Sequence, residues 1–149
     1  MAVLRDRPYT NFNFLVDLGT GNQEGPDGGF EEVNLPEMWM DVIEYRNGNE
    51  RENNVRKLNG LDHVGNIVLK RGVIGSLALY QWYNEVRNGQ ATLRNVVIQL
   101  LNEDHTSVVV TWKLSRARPV RLKWGPLNGR GKDVVFEYVE LACERLEME

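Results

Sequence analysis

The chain is expected to fold as a mainly β protein, an antiparallel β-barrel or sandwich with one short α-helix. Three observations predict this. Apolar side chains alternate at period two in several separate runs, among them 12–18, 96–100 and 108–114. Only one stretch, Leu77 to Arg87, carries the three-four spacing of a buried helical stripe. Clusters of Gly, Asn, Asp and Pro punctuate the alternating runs, as turns between strands require. A single domain over 1–149 is expected, and 149 residues can bury a core without disulfide or metal staples.

Phe12, Phe14, Val16 and Leu18 mark the first strand, Asn11 to Leu18. Gly19 to Gly29 is glycine-rich and polar, a loop. Gly29 to Leu35 and Met40 to Arg46 read as strands. Pro36 between them lacks a ladder donor and marks an edge or a bend. Tyr45 to Leu61 is polar, charged and turn-rich. It is expected to leave the barrel as a long excursion over about 46–61, a loop or loose hairpin.

Asn66 to Arg71 is a strand with Ile67 and Leu69 on one face. Gly72 and Gly75 permit a sharp exit, and Ser76 is placed to cap the helix. Leu79, Trp82, Tyr83 and Val86 form its core stripe, and Asn88-Gly89 stops it. At roughly 16 Å the helix is too short to stand alone and must pack across a sheet or plug a barrel end. Arg94 to Leu101 and Ser107 to Leu114 are the clearest strands, joined by a hairpin loop at Asn102 to Thr106. Arg116 to Lys123 is a basic strand crossing Pro119, after which Trp124, Gly125 and Pro126 bend the chain. Val134 to Leu146 reads as one long final strand with apolar groups on both sides. The inventory is about seven strands.

Composition excludes several classes of function. The net charge of −3 and a pI near 5.5 argue against binding nucleic acid by phosphate neutralisation, though not against a channel that DNA traverses. Cys143 is the only cysteine, so no intrachain disulfide can form and a reducing cytoplasm is the expected folding compartment. No apolar run is long enough to span a bilayer, and 1–12 has no apolar core of a secretory signal. Export by another route, or as part of a particle, is the remaining way out of the cell.

No catalytic, metal or cofactor constellation is expected. The stretch 125–133 (GPLNGRGKD) has Pro126 where a phosphate loop needs glycine, and Asp133 where it needs Ser or Thr. Glu103, Asp104 and His105 adjoin in one hairpin loop, but acid–base or metal chemistry needs partners converging from elsewhere, and His63 is the only other histidine. Cys143 reads as a small buried apolar residue. Arg116, Arg118, Arg121 and Lys123 form the densest basic run. They serve either to pair with carboxylates of a neighbouring subunit or to guard a solvated edge strand by charge. Trp39, Trp112 and Trp124 are core residues or interface anchors.

A series of phrases in one order carries a resemblance: 42–48 (VIEYRNG), 55–61 (VRKLNGL), 65–72 (GNIVLKRG), the tryptophan helix of 79–87, the strand and turn of 96–104, then 110–114 and the acidic end 137–146. In these, nearly the whole chain from Phe12 onward resembles the tube proteins of contractile phage tails and of phage-tail-like contractile injection systems. It departs at Asn59, where relatives often carry proline, and at Arg145, where glycine is common.

The resemblance implies a tail-tube fold shared with the type VI secretion tube. It also implies six-membered rings that stack helically into a rigid hollow tube inside a contracting sheath. Implied partners are further copies of the chain, the sheath protein, baseplate and spike proteins, tube-terminating proteins, and a lumen cargo of protein effector or DNA. No cofactor and no direct membrane insertion are implied. The excursion becomes a ring-to-ring arm, with Arg46, Asn49, Glu50, Arg51, Glu52, Arg56 and Lys57 as ring-stacking residues that set register. The competing reading is a soluble β-barrel module binding a ligand or protein at a rim made of the 19–29 loop and the Trp124 bend. A third, enzymatic reading would use Glu103, Asp104 and His105.

Overall fold

A computed structural model describes residues 1–21 and 28–149. Among these, nine strands and one helix follow in the order β1 (Phe14–Asp17), β2 (Glu32–Asn34), β3 (Met38–Tyr45), β4 (Arg56–Val64), β5 (Ile67–Gly72), α1 (Ala78–Arg87), β6 (Arg94–Leu101), β7 (Val108–Trp124), β8 (Phe136–Ala142) and β9 (Arg145–Met148). Seven strands join in one antiparallel sheet in the order β1-β6-β7-β8-β5-β2, with β9 also paired to β7. β3 and β4 pair only with each other. The mainly β, antiparallel, one-helix architecture expected from the sequence is the one observed.

Two expected boundaries are corrected. The runs around Ser107–Leu114 and Arg116–Lys123 are not two strands but the 17-residue β7. Arg116 adopts φ +56, and the β8 register shifts between Pro119 and Arg121, so the strand bends without ending. Its first part pairs with β6 and β9, and its second part, from Arg118, pairs with β8. The expected long final strand is instead split into β8 and β9. Both follow β7, on opposite sides of its bend, so the ribbon must kink where β7 kinks. Glu144 keeps contact there through its N–H to the Ser115 carbonyl at 3.0 Å.

The core lies where inward side chains of β1, β5, β6, β7 and β8 meet α1. Val16, Ile67, Leu69, Val96, Ile98, Leu114, Ala117, Val139 and Leu141 are buried there with Leu79 and Trp82 of the helix. Trp82 is fully buried, and its indole N–H donates to the Thr92 carbonyl at 2.8 Å. Val86 packs against the same cluster, whereas Tyr83 is only half-buried at its margin. The helix begins one residue later than expected. Leu77 occupies the cap position, and the Ser76 hydroxyl accepts from the Ala78 N–H at 3.3 Å. Gly75 at φ +83 supplies the left-handed turn that swings the chain from β5 into the helix.

One charged pair is buried with the core. Arg71 on β5 and Glu137 on β8 stand opposite in the register, and the guanidinium Nε donates to the carboxylate. Phe30 closes over the arginine at 5.5 Å. Both side chains lie in a low-dielectric site, where removal of the arginine leaves the Glu137 carboxylate poorly compensated. Arg71→Met is therefore expected to lower unfolding free energy by about 3 kcal/mol, and Glu137→Leu added to it to recover much of the loss, as read from urea unfolding midpoints.

Candidate functional site

The most exposed ordered element is the β3–β4 hairpin. Every residue of β3 is exposed. The stretch 46–61, expected as a loop or loose hairpin, forms the tip and most of the return strand of this hairpin. Met40–Arg46, expected in the barrel, belongs to this separate hairpin. The sequence obscured it because the return strand, RKLNGLDHV, is mostly polar. Pairing shows what alternation could have shown: Trp39, Ile43 and Tyr45 share one face with Leu58 and His63, while Met38, Met40 and Val42 share the other with Val64. Neither face meets the body. Trp39 is 45% exposed, Tyr45 50% and Leu61 72%. Large apolar side chains on both faces of a two-stranded ribbon are not a stable free surface in water.

The hairpin is built to hold its shape. β4 carries a bulge at Gly60 and Leu61 opposite Asp41, where the register shifts between Met40 and Val42. Gly60 lies opposite, where an added Cβ would come within 2.9 Å of the Asp41 Cβ, so only glycine fits. Asp41 Oδ2 lies 2.8 Å from His63 Nε2, and the His63 ring stacks on Trp39 at 5.2 Å. At the tip the Arg46 guanidinium donates to the carbonyls of Glu52 and Glu50, at 3.0 and 2.9 Å. Arg56 pairs with Glu50 at 3.1 Å, and Lys57 stands opposite Glu44 in the ladder. Of the seven residues expected to stack rings, Arg46, Glu50 and Arg56 thus order the tip itself. Asn49, Arg51, Glu52 and Lys57 are exposed on it.

The basic run lies on β7, with Arg116, Arg118, Arg121 and Lys123 exposed and Ala117 and Pro119 buried between them. Among the described residues the 118–124 part of β7 pairs with β8 on one side only, which leaves an open edge that tolerates Pro119. Arg116 pairs with Glu144 at 2.9 Å, Arg121 stands opposite Glu140, and Lys123 reaches the Tyr138 ring at 5.7 Å. Trp112 packs on the core, whereas Trp39 and Trp124 are surface residues.

The structure does not join Glu103, Asp104 and His105 into one centre. The Glu103 carboxylate is held by the Arg5 guanidinium, Asp104 accepts from the Thr106 hydroxyl at 2.8 Å, and His105 forms the turn at φ +65. Arg5 belongs to an N-terminal strap that sequence reasoning missed because nothing in 1–9 is periodic. The Val3 N–H donates to the Val109 carbonyl at 2.9 Å, and Tyr9 donates back to Val3 at 2.8 Å beneath the Arg5 guanidinium. Half-burial of Cys143 pushes its thiol pKa up, against a nucleophilic role. Of the 19–29 loop, 22–27 lies outside the described residues. Asp17 anchors its start by accepting from the N–H groups of Gly19 and Gly21 at 2.9 and 3.0 Å. The open cleft beside the Trp124 bend is lined by Lys70, Phe136, Tyr138 and the 125–131 turn, with none of the described residues of the 19–29 loop. Among the described residues no group of acidic, His or Cys side chains is placed to hold a metal, and no helix is long and apolar enough to cross a membrane.

This arrangement of a one-helix antiparallel body with a projecting hairpin has close counterparts. Residues 10–147 match the family model of the T4-like virus tail tube protein gp19. The chain belongs to that tail tube family. Among solved structures, a chain of the anti-feeding prophage baseplate, symmetrised six-fold, is 30% identical with a TM-score of 0.81, over 97% of both chains. A chain of the PVC sheath-tube complex of an extracellular contractile injection system, in the extended state, is 28% identical with a TM-score of 0.82, over 95% of this chain and 91% of that one. The tube-terminating cap of the anti-feeding prophage gives 27% identity and a TM-score of 0.83, over 100% and 95%. Hcp1 from Flavobacterium johnsoniae, at 13% identity and a TM-score of 0.54 over 91% and 93%, shares the fold. Comparison with curated proteins gives no match. The resemblance to contractile tail tubes is thereby shown. The family is one of structural tube proteins.

The Arg5 contact makes the strap sensitive to acid. Its hydrogen bond, above all, lowers the Glu103 carboxyl to about 2. A carboxylate depressed in the folded state contributes its attachment fully above the ordinary carboxyl range and loses it as pH falls toward the folded value. An NMR titration of the Glu103 carboxyl should give a midpoint near 2, and Arg5→Ala should raise it toward the ordinary range while freeing residues 1–9.

Proposed function

We propose that this chain is a wall subunit of the inner tube of a contractile injection system or phage tail. Six copies close a ring by one repeated heterologous contact, and rings stack into a rigid hollow tube. Sheath contraction drives the tube through a target envelope, and cargo passes along its lumen. The observation that carries this reading is the β3–β4 arm, regular in backbone yet apolar on both faces, which only an assembly can cover. Family membership and the likeness to sheath-tube, baseplate and cap complexes support the same conclusion.

The division of labour follows from the geometry. The body has its own core and can fold as a monomer, whereas the arm gains its burial from neighbours. Asn49, Arg51, Glu52 and Lys57 at the arm tip set the register of stacking, over a tip ordered by Arg46, Glu50 and Arg56. Arg116, Arg118, Arg121 and Lys123, on the open edge of β7, meet carboxylates of an adjoining subunit. The sheath, baseplate, spike and terminating proteins are the further partners, and the subunit is made in the cytoplasm and joins the particle there. A tube wall calls for no cofactor and no chemistry.

Negative-stain electron microscopy with light scattering tests the proposal. The full chain, alone or co-expressed with a baseplate template, should give hollow six-fold rings or tubes. Deletion of 49–54 should leave a folded monomer, with unchanged circular dichroism of the body, that no longer stacks. Normal tubes from the deleted chain would refute the role of the tip.

A further inference from the structure

The apolar arm needs a receiving surface, and the body carries one that its own fold leaves uncovered. The chain between β5 and α1 turns at Gly75 and exposes Val73, Ile74 and Leu77, with Tyr80 one helical turn on. Val134 and Val135 extend the patch, because the Val73 N–H donates to the Val135 carbonyl at 2.8 Å and holds the two segments side by side. No charged residue lies between Arg71 and Glu85. Charges stand at its rim, with Arg87 6.0 Å from the Tyr80 ring and Asp133 next to Val134 in sequence, whereas other exposed apolar groups lie among charges. Trp124 and Leu127, for example, sit among Lys123, Arg130, Lys132 and Asp133. The centres of protein interfaces are depleted of charge in this way.

We propose that the aromatic face of the arm, carrying Trp39, Ile43, Tyr45 and Leu58, docks on the Val73–Tyr80 corner of a second copy. The inference rests on the assembly reading above and names the acceptor for its arm. In a heterologous contact between identical chains both halves are on every chain, so one unmet apolar surface calls for another on the same molecule. Arm and corner are such a pair. The arm strands, of eight and nine residues at about 3.4 Å each, are long enough to reach a neighbouring copy. Several polar groups of the two surfaces are already partnered, so burial does not strand them. Asp41 and His63 on the arm face are hydrogen-bonded to each other, and at the corner the Ser76 hydroxyl is engaged by the Ala78 N–H. Tryptophan and tyrosine at the centre of such a face are the usual energetic anchors.

The test places the photo-crosslinking residue p-benzoylphenylalanine at Ile43 of the full chain, illuminates a concentrated solution, and maps the products by mass spectrometry. The expected result is an intermolecular link to 73–80 or 134–135. Ile74→Glu with Leu77→Glu, both at exposed positions, should lower its yield about tenfold by placing charge in an anchor site, with circular dichroism and urea midpoint unchanged. Links to another part of a second copy would overturn the corner as acceptor and leave the assembly reading standing. Absence of any intermolecular link, together with monomers by light scattering with and without a baseplate template, would overturn both.

Discussion

The structure depends on the bend in β7. A strand of 17 residues can serve two sets of neighbours only if it changes direction part-way, and here the change is made within two turns of sequence around Arg116 and Pro119. A non-glycine residue in the left-handed region costs about 1 kcal/mol, which is offset locally by the Asn95 side chain accepting from the Arg116 N–H at 3.2 Å. Continuity is the return. β6 and β9 flank the first part, β8 flanks the second, and the two halves of the sheet close over a single core with Leu114 and Ala117 near its centre. The same bend accounts for the break between β8 and β9. It also presents four basic side chains outward from one strand while Ala117 and Pro119 turn inward.

Body and arm obey opposite rules. In the body, apolar side chains alternate inward, the buried Arg71–Glu137 pair spans facing strands, and the helix contributes a tryptophan whose single polar atom has a carbonyl partner. That core is complete within one chain. In the arm the backbone is satisfied by one partner strand, but the side chains of both faces are left in water. An isolated two-stranded hairpin is marginal, and this one compensates with the Asp41–Gly60 bulge, the Trp39–His63 stack and the Arg46-bound tip. Pre-shaping of this kind reduces the ordering cost of association, so that burial of the apolar faces can appear as affinity.

Exposed charges mostly order local structure. Arg46, Glu50 and Arg56 fold the tip, Arg5 and Glu103 fasten the strap, and Arg116 with Glu144 bridges the β7 bend to the β8–β9 kink. Surface pairs of this type contribute little net stability each, but they select one geometry among several. In an assembly that repeats every contact around a ring and along a tube, selection of geometry matters more than the energy of one pair.

Period two in 96–100 and 108–114 and the three-four spacing of Leu79, Trp82 and Val86 made the mainly β class, the single helix and most of the core legible from the sequence alone. These patterns record which side faces an apolar interior, and a local repeat is enough to state that. The order of phrases also identified the tail tube family. The sequence did not reveal that β7 is one strand, since Arg116 and Pro119 read locally as a break and only its pairing partners on both sides keep it whole. Nor did it reveal that Met38–Val64 leaves the sheet. Trp39, Ile43 and Tyr45 alternate as a core strand would, and alternation says that a face is apolar without saying what covers it. That choice belongs to long-range pairing: β3 found β4 instead of the body, and an apolar pattern that elsewhere makes a core is here left on an exposed ribbon.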